Sequence, residues 1–413
     1  MNAQLENPRP AAPCSADELR DAFLRGSAAD SPAALDALLE ERPGLVAAHL
    51  LKIAKAVAAK DVRAFARLER ALSAAQPHVE LAGERERQHV AAASAWLAHR
   101  PLLAAHLYST ISANDPFDLL ALRLAQSCWF FLARRAKVHA VAERALKAWS
   151  PRDTGYDIML ALTAFGCDEA GTAARAATLA SRALEIEPRN PFAIHALAHA
   201  LGAQRRPGAV VRLLEARSAD WRVGGRLDSH IAWHLAAAEV EIGDLAAARM
   251  TLDTELAPLA ALGPSAAGDA TDLAWRLELA GADVRAAWER LADAWSLHHS
   301  PGFWAPDDLL AGIAYFKAGR SEHADALQRN LADGPHPRRC AQRAARGLTL
   351  PALAALEAFV RGGFAAAESH LRATIERMGG SLLQRELFEL TLRAACRRRA
   401  PFATLPEASR IPA

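Results

Sequence analysis

Two histidine doublets give this chain its most chemically suggestive pattern: His195-Ala-Leu-Ala-His199 and His230-Ile-Ala-Trp-His234, offset by 35 residues. On a helix, i,i+4 spacing puts both imidazoles of a doublet on one face, one turn apart. Such pairs can supply two ligands each to a zinc or iron ion shared between helices packed ~8–10 Å apart. They can also move protons near neutral pH, or simply pack and hydrogen-bond at a helix interface. A metal site would add a carboxylate, for which Glu169, Asp228 and Asp272 are candidates. No His-Glu-x-x-His run and no fixed carboxylate spacing accompanies the doublets. The residues therefore favour a structural or ligand-contact role over metal binding, and metal binding over acid–base catalysis.

The candidate ligand-contact set is Glu169, His195, His199, Asp228, His230, Trp233 and His234. Trp233 lies inside the second doublet, with Trp221 and Trp275 flanking it, although a tryptophan at helical spacing reads more readily as core. Glu169 follows Phe165 by one turn and is placed toward a groove. His89, ahead of Trp96, belongs to a partly exposed helix start, and His298-His299 to a surface loop before Pro301-Gly302. The chain has no P-loop, no dinucleotide fingerprint after a strand, no nucleophile elbow and no cysteine paired with an obvious histidine. No catalytic residue is assigned and no cofactor is expected.

What must hold these residues is a stack of helices. The 35-residue offset is near the 34-residue period of tetratricopeptide repeats. Apolar residues form 52% of the 413, aromatics 6%, and alanine supplies much of the apolar share. Apolar-periodic stretches alternate with short breakers, the mark of antiparallel helix pairs. Pairs are expected over 15–41, 44–74, 83–112, 117–149, 156–188, 191–217 and 227–256, with further turns at Gly281, Gly319 and Gly362. Ala173 to Pro188 reads as a second repeat helix closed by proline. The expected architecture is all-α, a right-handed α-solenoid of tetratricopeptide-like helix-turn-helix repeats. Residues 1–14 read as disordered, 15–257 as a first stack, 258–270 as a loop-like hinge, 271–398 as a second stack, and 399–413 as a tail.

Composition narrows the partners. With 49 basic and 47 acidic residues the net charge is +2, which argues against nucleic acid. The basic runs Arg338-Arg339 and Arg397-Arg398-Arg399 read as solvated helix ends or tail. Five scattered cysteines, without a Cys-x-x-Cys pair, fit buried thiols in a reducing compartment. No signal peptide and no membrane span is read, so a cytoplasmic protein is expected.

Several segments, in order, resemble the tetratricopeptide repeat protein 38 family from about residue 40 to 395. They are Glu84 to Trp96, Asp115-Pro-Phe-Asp-Leu-Leu-Ala-Leu122, Ala164-Phe-Gly-Cys-Asp-Glu169, both His doublets, Asp220-Trp221, and Gly379-Gly-Ser-Leu-Leu-Gln-Arg385. The resemblance implies a helical solenoid and no established reaction. The chain departs from the family pattern at Leu310 and Leu382, where histidines are usual, and at Glu386, where aspartate is. Together these readings predict a scaffold that binds a protein, a peptide or a small polar ligand in its concave groove. The alternative is a metalloprotein or enzyme built on the paired histidines.

Overall fold

In the computed structural model, residues 15–59, 61–333, 345–375 and 382–399 are described. Ser15 starts the first helix, α1 (Ala16–Arg25), with a reciprocal capping box: its hydroxyl accepts from the Glu18 amide, while Glu18 accepts from the Ser15 amide. After α2 (Pro32–Glu41) come α3 (Val46–Ala58) with α4 (Ala64–Val79), α5 (Glu84–Leu97) with α6 (Pro101–Asn114), and α7 (Leu119–Phe131) with α8 (Arg135–Leu146). The series continues with α9 (Tyr156–Glu169) and α10 (Ala173–Ile186), then α11 (Pro191–Ala203) and α12 (Pro207–Ala216). Linkers this short force antiparallel neighbours. In α10 the alanines at 176, 180 and 183 are fully buried, which lets α9 and α11 both pack closely on it.

The turn between the helices of a pair recurs. A left-handed residue stands at His99, Ala133, Gly171, Arg205 and Gly243, with φ between +53° and +88°. At Gly171 the two hydrogen bonds, Gly171 to Asp168 and Thr172 to Cys167, are those of a Schellman cap. Three of these turns use a residue with a β-carbon, which strains the backbone. Ala133→Gly should therefore raise the midpoint of chemical denaturation, by about 0.5–1 kcal/mol in stability. An unchanged or lower midpoint would show that the strain is absorbed elsewhere.

The chain divides into two compact units, Met1–Ile231 and Ala232–Ala413. In the first, α1 does not form the expected first pair with α2. Its stripe Leu19, Ala22, Phe23 and Leu24 is buried, and α1 packs against α3, α7, α9 and α11. With α1, α8, α10 and α11 around it, every one of the 14 residues of α9 is buried. The end of α1 is fastened by polar contacts. Arg25 donates twice to Asp157 at 2.8 and 2.9 Å, Asn190 donates to the same carboxylate at 2.9 Å, and Arg226 donates to the Phe23 carbonyl at 3.2 Å. Gly225 lies so close to the Gly26 carbonyl that a β-carbon there would sit 2.5 Å from its oxygen.

A short helix, α13 (Ser218–Trp221), buries Trp221 with its indole on the Leu214 carbonyl, and leads to α14 (Asp228–Ile242). The division between the units falls inside α14. The second unit continues with α15 (Leu245–Thr251), a wide π turn at Leu252–Leu256, α16 (Ala257–Leu259) and α17 (Pro264–Leu279). Then come α18 (Arg285–His298), α19 (Ala305–Lys317), α20 (Ser321–Asp333), α21 (Leu350–Val360), α22 (Phe364–Thr374) and α23 (Leu382–Arg399). The expected loop at 258–270 is instead helical turns, and Ala257, Ala260, Ala267 and Ala270 belong to this unit's core. Pro258 and Pro264 stand in first helical turns, where a missing N–H costs nothing. The last helix returns onto α17, where the Trp275 indole donates to Thr391 at 2.8 Å. No strand occurs among the described residues, and no helix there is long and apolar enough to cross a membrane. Residues 1–14, Arg338-Arg339 and 400–413 lie outside the described residues.

Candidate functional site

His195 and His199 come from α11, and His230 from α14. One ring nitrogen from each lies within 4.8 Å of the others. His195 meets His199 edge-on at 4.5 Å between ring centroids and His230 at 5.0 Å. His195 and His199 are buried, while His230 is half-buried. His234 is buried one turn after His230 on the same helix, past the division between the units. Burial, followed by the His199 and His230 rings and the Arg123 and Arg226 guanidiniums, holds the His195 imidazole well below the ordinary histidine value. That ring is therefore neutral at neutral pH, the form that offers a lone pair.

One carboxylate at this cluster is Asp168, which the sequence pattern did not single out. Its Oδ2 lies 3.3 Å from His199 Nδ1, with both side chains almost fully buried. Glu169, the residue chosen from the sequence, is buried next to it on α9. Asp228 accepts from the Gly224 and Gly225 amides at 2.7 and 3.1 Å, so it shapes the turn before α14. Trp233 belongs to the core of the second unit and donates to Asp272 at 3.0 Å. Asp272 in turn accepts from Arg276 at 2.6 Å, a structural pair in place of the metal carboxylate considered from the sequence.

Two guanidiniums complete the inner face of the first unit. Arg123, from α7, stacks at 4.7 Å on Phe192, whose ring is 5.8 Å from His195. Among the described residues Arg123 makes no hydrogen bond or ion pair, and its Nε is buried. Burial, and then the charge of Arg226, push its pKa down to about 9. Arg226 stands over the Phe23 ring at 5.2 Å and faces Asp30 at 3.8 Å. Arginine 123 carries no repeat or motif signal, so a sequence pattern could not have found it.

Other histidines are more engaged than their sequence context suggests. His89 is buried and pairs with Asp118 at 2.8 Å beside a cavity of about 350 Å³ that Arg20, Arg85 and Phe117 also line. Burial alone would raise the Asp118 carboxyl, but His89, the Ala121 amide and Arg85 outweigh it and hold the group below its usual range. His299, expected on the surface, is a buried partner of Asp308 at 2.9 Å. Leu310 is core, and Glu386 faces Arg276 at 3.8 Å.

No family model matches the chain. Among solved structures it is similar to a chain in the crystal structure of the APC/C hetero-tetramer Cut9-Hcn1, at 12% identity and a TM-score of 0.42, over 92% of this chain and 67% of that one. A likeness that loose bears on neither activity nor partner. The helix-pair architecture rests on this chain's own elements.

Proposed function

We propose that this chain is a tetratricopeptide-like scaffold of the tetratricopeptide repeat protein 38 type that holds a small anionic ligand on the inner face of its first unit. The observation that carries this is Arg123, a half-buried side chain with a buried Nε and no hydrogen-bonding or charged partner among the described residues. A cation so placed is costly unless something else supplies the charge, and an anion held by Arg123 and Arg226 supplies it. A helix-pair stack offers such surfaces generally, but here the face of α7, α9 and α11 already carries α1. That favours the small polar ligand over a peptide.

Arg123→Met tests the reading. It removes an unpaired charge and keeps an unbranched apolar stem, so the free protein should gain about 1 kcal/mol. It should also lose its response to ligand. Wild-type protein, stripped of metal, is expected to melt higher in millimolar inorganic phosphate or succinate, as binding to the folded state requires. The response should be full below pH 9 and fade as pH rises through about 9, because only protonated Arg123 attracts the anion. A variant that melts lower than wild type, or responds equally to phosphate and succinate, would count against the proposal.

A further inference from the structure

Asp157, Asp168 and Asp272 are three of the six aspartates buried among the described residues; Asp118 and Asp308 pair with His89 and His299. Asp157 is balanced by Arg25, and Asp272 by Arg276. Asp168 meets no lysine or arginine among the described residues; its polar neighbour is His199 Nδ1. A carboxylate removed from water needs a positive partner. A charged His199 would provide one, but its ring abuts His195, which abuts His230 in turn. A cation shared by the three rings provides the charge without protonating any of them.

We infer that His195, His199 and His230 bind one divalent transition-metal ion of the zinc class, with Asp168 as the positioning residue that orients His199. Imidazole is the common ligand of zinc, copper, nickel and iron. Zinc–nitrogen bonds of 2.0–2.1 Å in tetrahedral geometry put ligand nitrogens about 3.3 Å apart. The present upper spacing of 4.8 Å reaches that by small side-chain rotations. The edge-on approach of His195 to His199, at 83° between planes, lets two rings converge from a single helix. Asp168 Oδ2 lies 3.3 Å from His199 Nδ1 without hydrogen-bond geometry; a small turn of the ring would make that bond and present Nε2 to the metal, the arrangement that supports histidine ligands in metal sites generally. The site uses ring nitrogens and Asp168, whereas the anion reading rests on Arg123, whose charge reaches His195, so the two are tested separately.

The full chain, expressed without a polyhistidine tag and stripped with chelator, is titrated with cobalt(II) chloride and then zinc chloride. One equivalent of cobalt should bind, with visible d–d bands, no sulfur charge-transfer band, and displacement by zinc. His195→Gln and His230→Gln should each weaken binding by about 100-fold or more, and Asp168→Asn by about 10–100-fold. Cys167→Ser should change nothing; it removes the thiol of a second cluster with His139 and Glu143. Thermal melts establish that each variant is folded. Wild-type protein that takes up no cobalt overturns the inference whatever the variants do. So does wild-type affinity in folded His195→Gln and His230→Gln, or loss of binding in Cys167→Ser. The phosphate response of the stripped protein is read separately, so loss of one site is not mistaken for loss of the other.

Discussion

Replacing Asp272 with alanine is expected to destabilise the second unit by about 3–5 kcal/mol. The Arg276 guanidinium is 1% exposed and bonded to Asp272 at 2.6 Å, so it cannot turn to water when its partner is lost. Glu386, at 3.8 Å, and the charge of Glu241 offset only part of that loss. The Trp233 indole would lose its acceptor as well. Asp272→Asn keeps an acceptor for Trp233 and removes the charge, so comparing the two variants separates the ion pair from the hydrogen bond. Denaturant titration followed by tryptophan fluorescence reads both, because Trp233, Trp275, Trp288 and Trp295 all belong to this core. A loss under about 1 kcal/mol in Asp272→Ala would mean that the pair is not buried as described.

The second large effect is expected at Asp157, where alanine should destabilise the first unit by about 3 kcal/mol and loosen α1. Asp157 takes two bonds from Arg25 and one from Asn190. Asn190 is fully buried and its Oδ1 also caps α11 on the Ala193 amide, so losing Asp157 strands its amide group. Arg25 is partly exposed and has Asp21 at 3.6 Å, which softens its share of the penalty. Limited proteolysis should cut near Gly26–Asp30 faster in the variant, and hydrogen exchange should quicken in α1 while α10 stays protected. Unchanged protection of α1 would show that its apolar stripe alone holds it.

Much of the architecture was legible because it is local. Alanine periodicity and Pro188 fixed the extent of α10 to within two residues, and i,i+4 spacing gave the facing of each histidine pair. Punctuation misled at 258–270, since Pro258 and Pro264 begin helical turns there as readily as they end them. Gly268 sits inside a buried helix, where a β-carbon would be in ordinary contact with Leu310, so this glycine marks no turn. Asp168 lies about 100° round the helix from Glu169, and both carboxylates are buried on α9, so the sequence position alone did not single it out. Arg123 and the seat of α1 were invisible for another reason. Both depend on what faces a helix across the fold, and a helix's own pattern says that it is amphipathic without naming its partner.

The attachment of α1 has a consequence for how the chain is made. Repeat arrays fold mostly through contacts between neighbours, so early helices can settle while later ones are still being synthesised. Arg25 meets Asp157 across 132 residues, and the Phe23 carbonyl meets Arg226 across 203. Until most of the first unit exists, the apolar stripe of α1 has only its near neighbours α2 and α3 to pack on, and lacks α7, α9 and α11. The attachment of α1 is therefore completed late, and loop closure over that distance makes it a slow step.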